Sequence, residues 1–597
     1  MRCIVRRIYV SPLQRLLLLA CFVLTCAWLI GVIAQRPLTT YVMAERSSAP
    51  HITGFYAPEQ ASDGTAYRWT SGLAVIRAVG LVPAPEAIWY VTVAASTQIT
   101  PMQLNALPVA HQDERRYAIL ARPTRWNGVQ ALRIGTTTFT DPAEARELGV
   151  RVISASLSHV WQPYPAVLWV CSVALLALMA ALSAWLLGWG WRGVVIACAL
   201  MLLMATVMQW SNPRAAGLWV RNLAGVSIIV PLAVWLLRRW FPVVLLTGWA
   251  SMLLLRLWGI RAPSFEGHDY AIHLRRLSDF RTGIWTMSAH PYEFGRRQSV
   301  ILPLFYRVSD ALAEVLGTHL AMHLMIVCAE TSIALLVWLL LKRVSFPPRA
   351  ALLGAFLVLL MPLSSSVLYW AFMQQISAHV LTFAIAYLTT RGTAKSAWLA
   401  AVLFAVVALT HIGETFIAAV WYSALRLAEP DRFRPQWWWR SLPVVVAGVA
   451  VLPLYLTFLG NVGASGSALI QPISPAILAQ LGVAFTVGLA PVPIGAAIIA
   501  LAVLVWQRPR VAIPWLAVVA VFATVEALTR AQVRYLYTGA PLIAVAVGWC
   551  IPRVWRYGWA GRLLVLLVVA YVAWVSSALW IDAVMGWQKP RIDGLTH

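Results

Sequence analysis

Four side chains that can hold or move a proton lie within eight positions of one polar segment: Glu266, His268, Asp269 and His273. A partly desolvated carboxylate can take a proton from a hydroxyl group, which is the chemistry of a general base. Asp269 and His273 are four residues apart and would share one face of a helix. The spacing therefore predicts a catalytic set of Asp269, His273 and Glu266. The alternative interpretation is that Asp269 is a helix N-cap that accepts backbone N–H bonds.

The same cluster offers ligands for a divalent cation. Carboxylate oxygens and an imidazole suit Mg²⁺ or Mn²⁺, but the spacing of Asp269, Glu266 and His273 is loose. A bound Mg²⁺ or Mn²⁺ ion is therefore a hypothesis, and the metal requirement stays open. The seven cysteines of the chain show no CxxC or Cys/His ligand spacing, which argues against a structural zinc site.

The chain that carries this segment has the composition of a polytopic membrane protein. Of its 597 residues 60% are hydrophobic and 11% charged, and the mean hydropathy is +0.74; a soluble globular protein does not have this balance. The net charge of +24 is explained by Lys and Arg in cytoplasmic loops and by contacts with anionic membrane lipids. Nucleic acid is therefore not expected as a partner.

Hydropathy and composition divide the chain into five predicted parts and about 15 transmembrane helices, which include spans at 165–187, 350–371 and 374–390. The parts are an N-terminal signal-anchor helix (1–35), an extracytoplasmic β-sandwich-like domain (36–164), N-terminal transmembrane helices (165–259), an extracytoplasmic catalytic loop with amphipathic helices (260–318), and a transmembrane core with a short C-terminal tail (319–597). The fold class is thus a polytopic α-helical membrane protein with an inserted β-rich domain after the first helix.

Basic clusters between the predicted spans set the orientation. Examples are Arg238-Arg239, Lys342-Arg343 and Arg508 with Arg510. The positive-inside rule places these clusters in the cytoplasm. The same order puts residues 36–164 and the polar segment 260–318 together on the outer face of the membrane. Within residues 36–164, Tyr56, Trp69 and Trp126 either bind sugar or fill the core of the β-domain.

The run GHDYAIHLRRL (267–277), followed by Gly283 and by PLFYRVSDAL (303–312), resembles the first extracytoplasmic loop of GT-C superfamily glycosyltransferases. The resemblance covers residues 241–583. It implies an integral membrane enzyme that takes a sugar from a polyprenyl-phosphate donor, with the loop aspartate, here Asp269, as the catalytic base. Many members carry paired acids at this point, whereas here Asp269 is accompanied only by Glu266, three residues earlier.

The stretch ALTHIGETF (408–416) is similar to a recurrent turn in such proteins, and it places His411 and Glu414 at the outer end of a helix pair. Polar side chains at the end of a membrane helix are costly, which makes these two candidates for substrate binding. The alternative is a polar turn exposed to water.

The stretch TRAQVRYLYTGAPLIAVAVG (529–548) looks like the entry to a late helix in the same superfamily. Arg530 and Arg534 lie on the predicted outer side, against the positive-inside trend. Arginine suits bidentate phosphate binding, so Arg534 could neutralise the departing lipid phosphate, with Arg530 and Tyr537 beside it. Arg275, on the amphipathic segment after Asp269, completes the predicted substrate-binding set. Anchoring to lipid headgroups is the alternative role for these arginines.

These observations favour an inverting membrane glycosyltransferase of a bacterial cytoplasmic membrane, with its active site on the extracytoplasmic face and a role in cell-envelope glycan biosynthesis. The donor is a polyprenyl-phosphate-linked sugar, and the acceptor is a glycan, a lipid or a protein. Two alternatives stay open. A transporter or flippase of lipid-linked glycan would use ionisable residues within the spans, of which Glu330, His379 and Glu526 are candidates. A non-enzymatic glycan-binding or assembly protein would use the β-domain.

Overall fold

A computed structural model describes most of the chain. The described residues are 12–33, 35, 38–43, 52–79, 87–95, 100–111, 113–121, 129–141, 146–160, 165–211, 220, 224–225, 227–259, 270–281, 283, 286–288, 298–300, 302–316, 318–361, 373–465, 475, 490–529 and 537–585. The protein forms two compact units, one comprising Met1–Thr247 with Leu257–Phe265 and the other Gly248–Arg256 with Glu266–His597.

The first unit combines apolar helices with a β-rich domain. Helix α1 (Pro12–Ile33) precedes eleven described strands, and helices α2 (Val167–Leu186), α3 (Gly190–Ser211) and α4 (Ile229–Leu237) follow them. The strands are β1 (Leu38–Val42), β2 (Ile52–Gln60), β3 (Ala66–Val79), β4 (Ile88–Val93), β5 (Thr100–Leu104), β6 (Leu107–His111), β7 (Arg115–Leu120), β8 (Val129–Thr136), β9 (Phe139–Asp141), β10 (Arg146–Leu148) and β11 (Arg151–Ser158). A β-rich domain after the first helix is thereby confirmed.

Nine of these strands join in one antiparallel sheet. Its order is β6-β5-β8-β3-β11-β4-β7, with β1 paired to β11 and β2 paired to β3. Strand β4 shows why the segment is a strand: Trp89, Val91 and Val93 alternate with more exposed residues and are fully buried, which is the period of a sheet with one face in a core. The sandwich-like arrangement of this domain stays a prediction.

Two of the three aromatic residues predicted in the β-domain lie among the described residues. Trp69 is partly buried and donates its Nε1–H to Oε2 of Glu59 over 3.1 Å. The hydroxyl of Tyr56, also partly buried, donates to the carbonyl of Glu147 over 3.0 Å. Trp126 lies outside the described residues. Sugar binding by these aromatics stays a prediction.

The second unit contains part of helix α5 (Val243–Gly259) and the described helices that follow it. The rest of α5 belongs to the first unit. The described helices after α5 are α6 (Tyr270–Arg281), α7 (Pro303–Leu316), α8 (Thr318–Arg343), α9 (Pro348–Leu360), α10 (Met373–Arg391), α11 (Ala394–Ala408), α12 (Ile412–Leu427), α13 (Pro435–Ser465), α14 (Ile494–Gln507), α15 (Pro509–Thr529), α16 (Gly539–Val554) and α17 (Gly558–Met585). A short hairpin of β12 (Thr286–Ser288) and β13 (Gln298–Val300) lies between α6 and α7.

Five described helices are long and apolar enough to cross a membrane. They contain the segments Gln14–Ile33, Val167–Leu186, Gly190–Trp210, Ala321–Arg343 and Gly558–Trp580. Shorter apolar helices accompany them, which supports the predicted multi-pass membrane protein. The figure of about 15 spans stays a prediction, as do the boundaries of the five predicted parts.

Helices α10 to α13 pack around one apolar cluster in the second unit. Its buried members include Ala378 and Ile385 of α10, Phe404 of α11, Tyr422 of α12 and Val444 of α13. Several members of the full cluster are alanines, so the backbones of these helices approach closely. This packing holds the N-terminal turns of α10 and α12 side by side, where the polar residues of the candidate site lie.

A second close contact joins α9 to α16. A Cβ atom placed on Gly548 would lie 2.4 Å from the backbone nitrogen of Gly354 and 2.6 Å from its Cα atom. Since these two atoms of Gly354 belong to the backbone of α9, the two helices would have to separate to admit a methyl group at position 548. The small-residue contact therefore fixes the distance between α9 and α16.

Replacing Gly548 by alanine is expected to lower the free energy of unfolding by about 1–3 kcal/mol, the usual cost of overpacking. The midpoint of thermal unfolding of the detergent-solubilised protein measures it. Gly495 of α14 is the matched control, because an added Cβ there meets nothing within 4 Å. Gly495→Ala should leave the midpoint unchanged or raise it, since alanine favours helix. Equal midpoints for the two variants would contradict the contact.

Candidate active site

Several predicted site residues fall outside the part of the chain that the structure describes. These are Glu266, His268, Asp269, Arg530 and Arg534. The side chain of Arg275, within α6, is also not described, and neither is that of Glu526 in α15. The roles assigned to these residues therefore stay predictions. Among the described residues helix α6 begins at Tyr270, and Asp269 directly precedes Tyr270 in the sequence.

His273 lies buried on α6 and faces α7. Its Nδ1 is 2.9 Å from the hydroxyl oxygen of Tyr306, and its ring centroid is 6.0 Å from that of Phe305. Burial raises the pKa of Tyr306 to about 12, although Arg276 lowers it in part. The Tyr306 hydroxyl therefore keeps its proton at neutral pH and can donate it to Nδ1. His273 is thus held by α7, which fixes the face of the helix that follows Asp269.

Two arginines of α6 have protein partners. The Arg281 Nε–H donates to Oδ1 of Asp310 on α7 over 2.6 Å. Arg276 Nη1 is 3.5 Å from Oε1 of Gln374, the second residue of α10. Each of these arginines thus reaches a neighbouring helix. Together with His273, they tie α6 to α7 and to the N-terminal turn of α10.

The buried carboxylate of Glu414 is the centre of a polar cluster of side chains from α10 and α12. Oε1 accepts from Nε2 of Gln375 over 3.3 Å, and Oε2 accepts from Oγ1 of Thr382 over 3.4 Å. Nδ1 of His379 lies 3.0 Å from Oε2, and both the His379 and Glu414 side chains are 0% exposed. The alternative of a water-exposed polar turn is therefore wrong for Glu414. An ionised carboxylate needs such donors when it leaves water.

The side chain of His411 supports this cluster by binding the backbone of Glu414. It is the N-cap of α12, and its Nδ1 accepts the backbone N–H of Glu414 over 3.2 Å. This bond satisfies one of the free donors of the first helical turn, and it fixes the start of α12 at the residue before Ile412. His411 is thus placed to hold Glu414, and the predicted role of both residues in substrate binding stays a prediction.

Three partners of Glu414 were missing from the predicted site: Gln375, His379 and Thr382. They are spaced four and three residues apart on α10, so they share one face of that helix. That polar spacing is present in the sequence, but His379 is predicted to have a role only in the transporter alternative. The contact with Glu414 was not visible, because 35 residues separate it from His379.

Tyr537 approaches the same cluster from the start of α16. It is fully buried, and its ring centroid lies 6.4 Å from that of His379. Phe383 packs against the other side of the cluster, with its ring centroid 5.2 Å from the His379 imidazole. Tyr537 therefore lies beside His379, while Arg530 and Arg534, the other two residues predicted in 529–548, lie outside the described residues.

The described residues contain no group of three or more His, Cys, Asp or Glu side chains that could hold a metal ion. Two of the three predicted metal ligands, Glu266 and Asp269, lie outside those residues. A Mg²⁺ or Mn²⁺ ion at the polar segment is thus neither supported nor opposed and stays a hypothesis.

No protein-family model and no curated protein matches the sequence. Among solved structures, the apo oligosaccharyltransferase of Archaeoglobus fulgidus is 13% identical, with a TM-score of 0.40 over 59% of this chain and 56% of that one. The archaeal oligosaccharyltransferase AglB from Archaeoglobus fulgidus, in complex with an inhibitory peptide and a dolichol-phosphate, is 13% identical, with a TM-score of 0.41 over 58% and 56%. The Archaeoglobus fulgidus enzyme tethered to an acceptor peptide containing the NVT sequon is 14% identical, with a TM-score of 0.37 over 57% and 55%.

The chain spans little more than half the length of these solved structures. At such TM-scores the likeness assigns neither a family nor a residue role. The interpretation of the site below therefore rests on its own residues.

Proposed function

We propose that this protein is a membrane glycosyltransferase that transfers a sugar from a polyprenyl-phosphate donor to a glycan, lipid or protein acceptor on the extracytoplasmic face of a bacterial cytoplasmic membrane. One observation carries the proposal: the buried Glu414 cluster, formed where α10, α12 and the start of α16 meet. Ionisable groups in an apolar helical bundle are costly and are retained mostly at functional sites. This cluster also adjoins α6, the helix that directly follows Asp269.

In the proposed reaction, Asp269 takes the proton of the acceptor hydroxyl. The hydroxyl oxygen attacks the anomeric carbon, and the bond from that carbon to the phosphate oxygen breaks. The sugar is transferred with inversion, and the polyprenyl phosphate leaves with the electron pair. Arg534, with Arg530, offsets the charge on the leaving phosphate.

Two described features are consistent with this proposed reaction. The bonds of His273 and Arg281 to α7 orient the helix that follows Asp269. Glu414 and His379 lie beside Tyr537, three residues after Arg534 in the sequence. Holding donor and acceptor groups in place accounts for much of the barrier reduction in such transfers. A Mg²⁺ or Mn²⁺ ion at Glu266 and Asp269 stays a hypothesis, and no step above uses it.

Replacing Asp269 by asparagine is expected to reduce sugar transfer about 100-fold or more, the usual contribution of a general base. The measurement is transfer of radiolabelled sugar from polyprenyl-phosphate donors in membranes that contain wild-type protein or Asp269→Asn. Asp279→Asn is the matched control, because Asp279 is an acid of helix α6, ten residues after Asp269 in the sequence. It should keep most of the activity.

Two outcomes would contradict the proposal in different ways. Full transfer by Asp269→Asn would show that another group is the base. No transfer from any donor by folded wild-type protein would overturn the enzyme itself. The flippase alternative would then be tested by uptake of lipid-linked glycan into vesicles without covalent product.

A further inference from the structure

An apolar groove lies between the last turns of α12 and the first turns of α13. Its volume is about 660 Å³, and its lining includes Leu427 of α12 and Trp438, Leu442 and Val445 of α13. From Trp437 to Val445 the groove follows α13 over about 12 Å, at the rise of an α-helix. A hydrocarbon chain can fill such a groove through many van der Waals contacts.

Hydrogen bonds between the two helices fix the shape of the groove. The Nε–H of Arg426, a buried residue of the lining, donates to Oγ of Ser441 over 3.1 Å, and its Nη2 donates to the carbonyl of Trp437 over 2.7 Å. The Nε1–H of Trp437 donates in return to the carbonyl of Arg426 over 2.8 Å. The groove is therefore already formed in the protein without a ligand.

Two exposed arginines lie at one end of the groove. Nη1 of Arg432 donates to the carbonyl of Leu427 over 3.3 Å, and Leu427 lines the groove. The carbonyl of Arg434 accepts the backbone N–H groups of Trp437 and Trp438 over 2.9 and 3.4 Å, and both tryptophans belong to the lining. Arg432 and Arg434 thus flank the point where α12 ends and α13 begins.

The acids of the same loop are occupied by other arginines. Glu429 pairs with Arg426, and Asp431 lies 3.6 Å from Nη1 of Arg440. The two exposed arginines form no ion pair with an acid among the described residues. The end of the groove therefore carries positive charge that an anionic group can neutralise.

Exposed aromatic rings surround this basic end. Phe433, between the two arginines, has a φ of +68°, a strained conformation for a bulky residue. Its ring centroid lies 5.7 Å from that of Trp437, yet 61% of Phe433 is exposed, and Trp438 and Trp439 are 58% and 73% exposed. Exposed aromatics of this kind are typical of the membrane–water interface. This assigns the basic end of the groove to the level of the lipid headgroups.

We propose that the groove binds one acyl chain of an anionic phospholipid whose headgroup is held by Arg432 and Arg434. The arginines of the loop place it on the predicted cytoplasmic side, where basic sites between membrane helices bind anionic headgroups. A second copy of this chain is a poorer occupant, since a two-fold contact would bring the exposed arginines of both copies together. The site lies at the opposite end of α12 from Glu414, and it does not depend on glycosyl transfer.

Native mass spectrometry of the delipidated full chain in detergent tests this site. The probes are dioleoyl phosphatidylglycerol and dioleoyl phosphatidylcholine, which have the same acyl chains but differ in net headgroup charge. Titration gives the dissociation constant of the first bound lipid. Wild type should bind phosphatidylglycerol about 10-fold more tightly than phosphatidylcholine, because two arginines face the headgroup.

The variant Arg432→Gln/Arg434→Gln tests the headgroup contact. It should bind phosphatidylglycerol about 10-fold more weakly than wild type and lose the preference over phosphatidylcholine. Arg391→Gln/Arg556→Gln is the matched control, because it removes two other exposed arginines of the second unit that do not line the groove. The control should keep the affinity and the preference of wild type.

The variant Val445→Trp tests the acyl-chain contact. Val445 lines the groove and is 55% exposed, so an indole there can occupy the volume of the chain without disturbing the core. Binding of phosphatidylglycerol should fall about 10-fold. Val449→Trp is the matched control, because Val449 lies one turn further along α13, is 65% exposed and is not part of the lining. It should bind like wild type, and both variants should unfold at the temperature of wild type.

Three outcomes would overturn the proposal. Equal affinity of wild type for the two lipids would exclude a site for an anionic headgroup. An equal loss of affinity in both arginine double variants would reduce the effect to the overall charge of the protein. A dimer of the delipidated protein that Val445→Trp abolishes and phosphatidylglycerol does not would assign the groove to a second copy of the chain.

Discussion

Replacing Arg256 by methionine should lower the free energy of unfolding by about 3–5 kcal/mol, the usual cost of removing one partner of a buried ion pair. Arg256 of α5 pairs with Glu330 of α8, and both side chains are 5% exposed. A second guanidinium nitrogen donates to the carbonyl of Leu359, at the end of α9, over 2.9 Å. The variant thus loses a contact among three helices and leaves the Glu330 carboxylate without its arginine.

The midpoint and slope of SDS-induced unfolding in mixed micelles measure this loss. The double variant Arg256→Met/Glu330→Met is the decisive comparison, because it removes both charges and retains comparable volume. It should recover most of the stability, since an apolar pair replaces a buried ion pair at little cost. If the single variant is as stable as the double variant, the folded protein tolerates the Glu330 carboxylate without Arg256, and the ion pair does not stabilise the fold.

Replacing Glu414 by alanine is the second large expected effect. The variant removes an acceptor from Gln375, His379 and Thr382 at once. Each buried donor that loses its acceptor costs about 1–3 kcal/mol, so the loss of stability should reach about 3 kcal/mol or more. Sugar transfer should fall as well, because His379 and the start of α12 lose their fixed positions.

Glu414→Gln separates charge from shape at this position. Glutamine fills the same volume and keeps one acceptor oxygen, but its amide group faces donors that need an acceptor. It should lie between wild type and alanine in stability. A stable Glu414→Ala variant with normal transfer would show that water replaces the carboxylate at no cost.

Hydropathy predicts the positions of several helices well, because an apolar segment in lipid must form its backbone hydrogen bonds within its own helix. The predicted span 165–187 is found as Val167–Leu186, and 374–390 as Met373–Arg391. The end of α9 differs more. A span of 350–371 is predicted, but the helix ends at Leu360 and Met361 is extended. Met361 precedes Pro362, and a residue before proline avoids the helical conformation, so sequence alone could have shortened that span.

The candidate site was predictable only in its local parts. His411 and Glu414 are three residues apart, and their capping relation follows from position in one turn. The bond from Arg256 to Glu330 joins residues 74 apart in sequence, and nothing local indicates which of several helices supplies the partner. The same holds for His379 and Glu414. Which polar residues meet is determined by helix packing, and packing depends on the whole set of apolar faces.

The polar face of α10 has a consequence for how the chain enters the membrane. Gln375, His379 and Thr382 make α10 less apolar than a self-sufficient span, and it is not among the five described helices that are long and apolar enough to cross a membrane. The carboxylate that contacts all three side chains lies on α12, two helices later. We therefore expect α10 to gain a stable position in the membrane only after α12 has been synthesised, and we expect helices α10 to α12 to insert as one group.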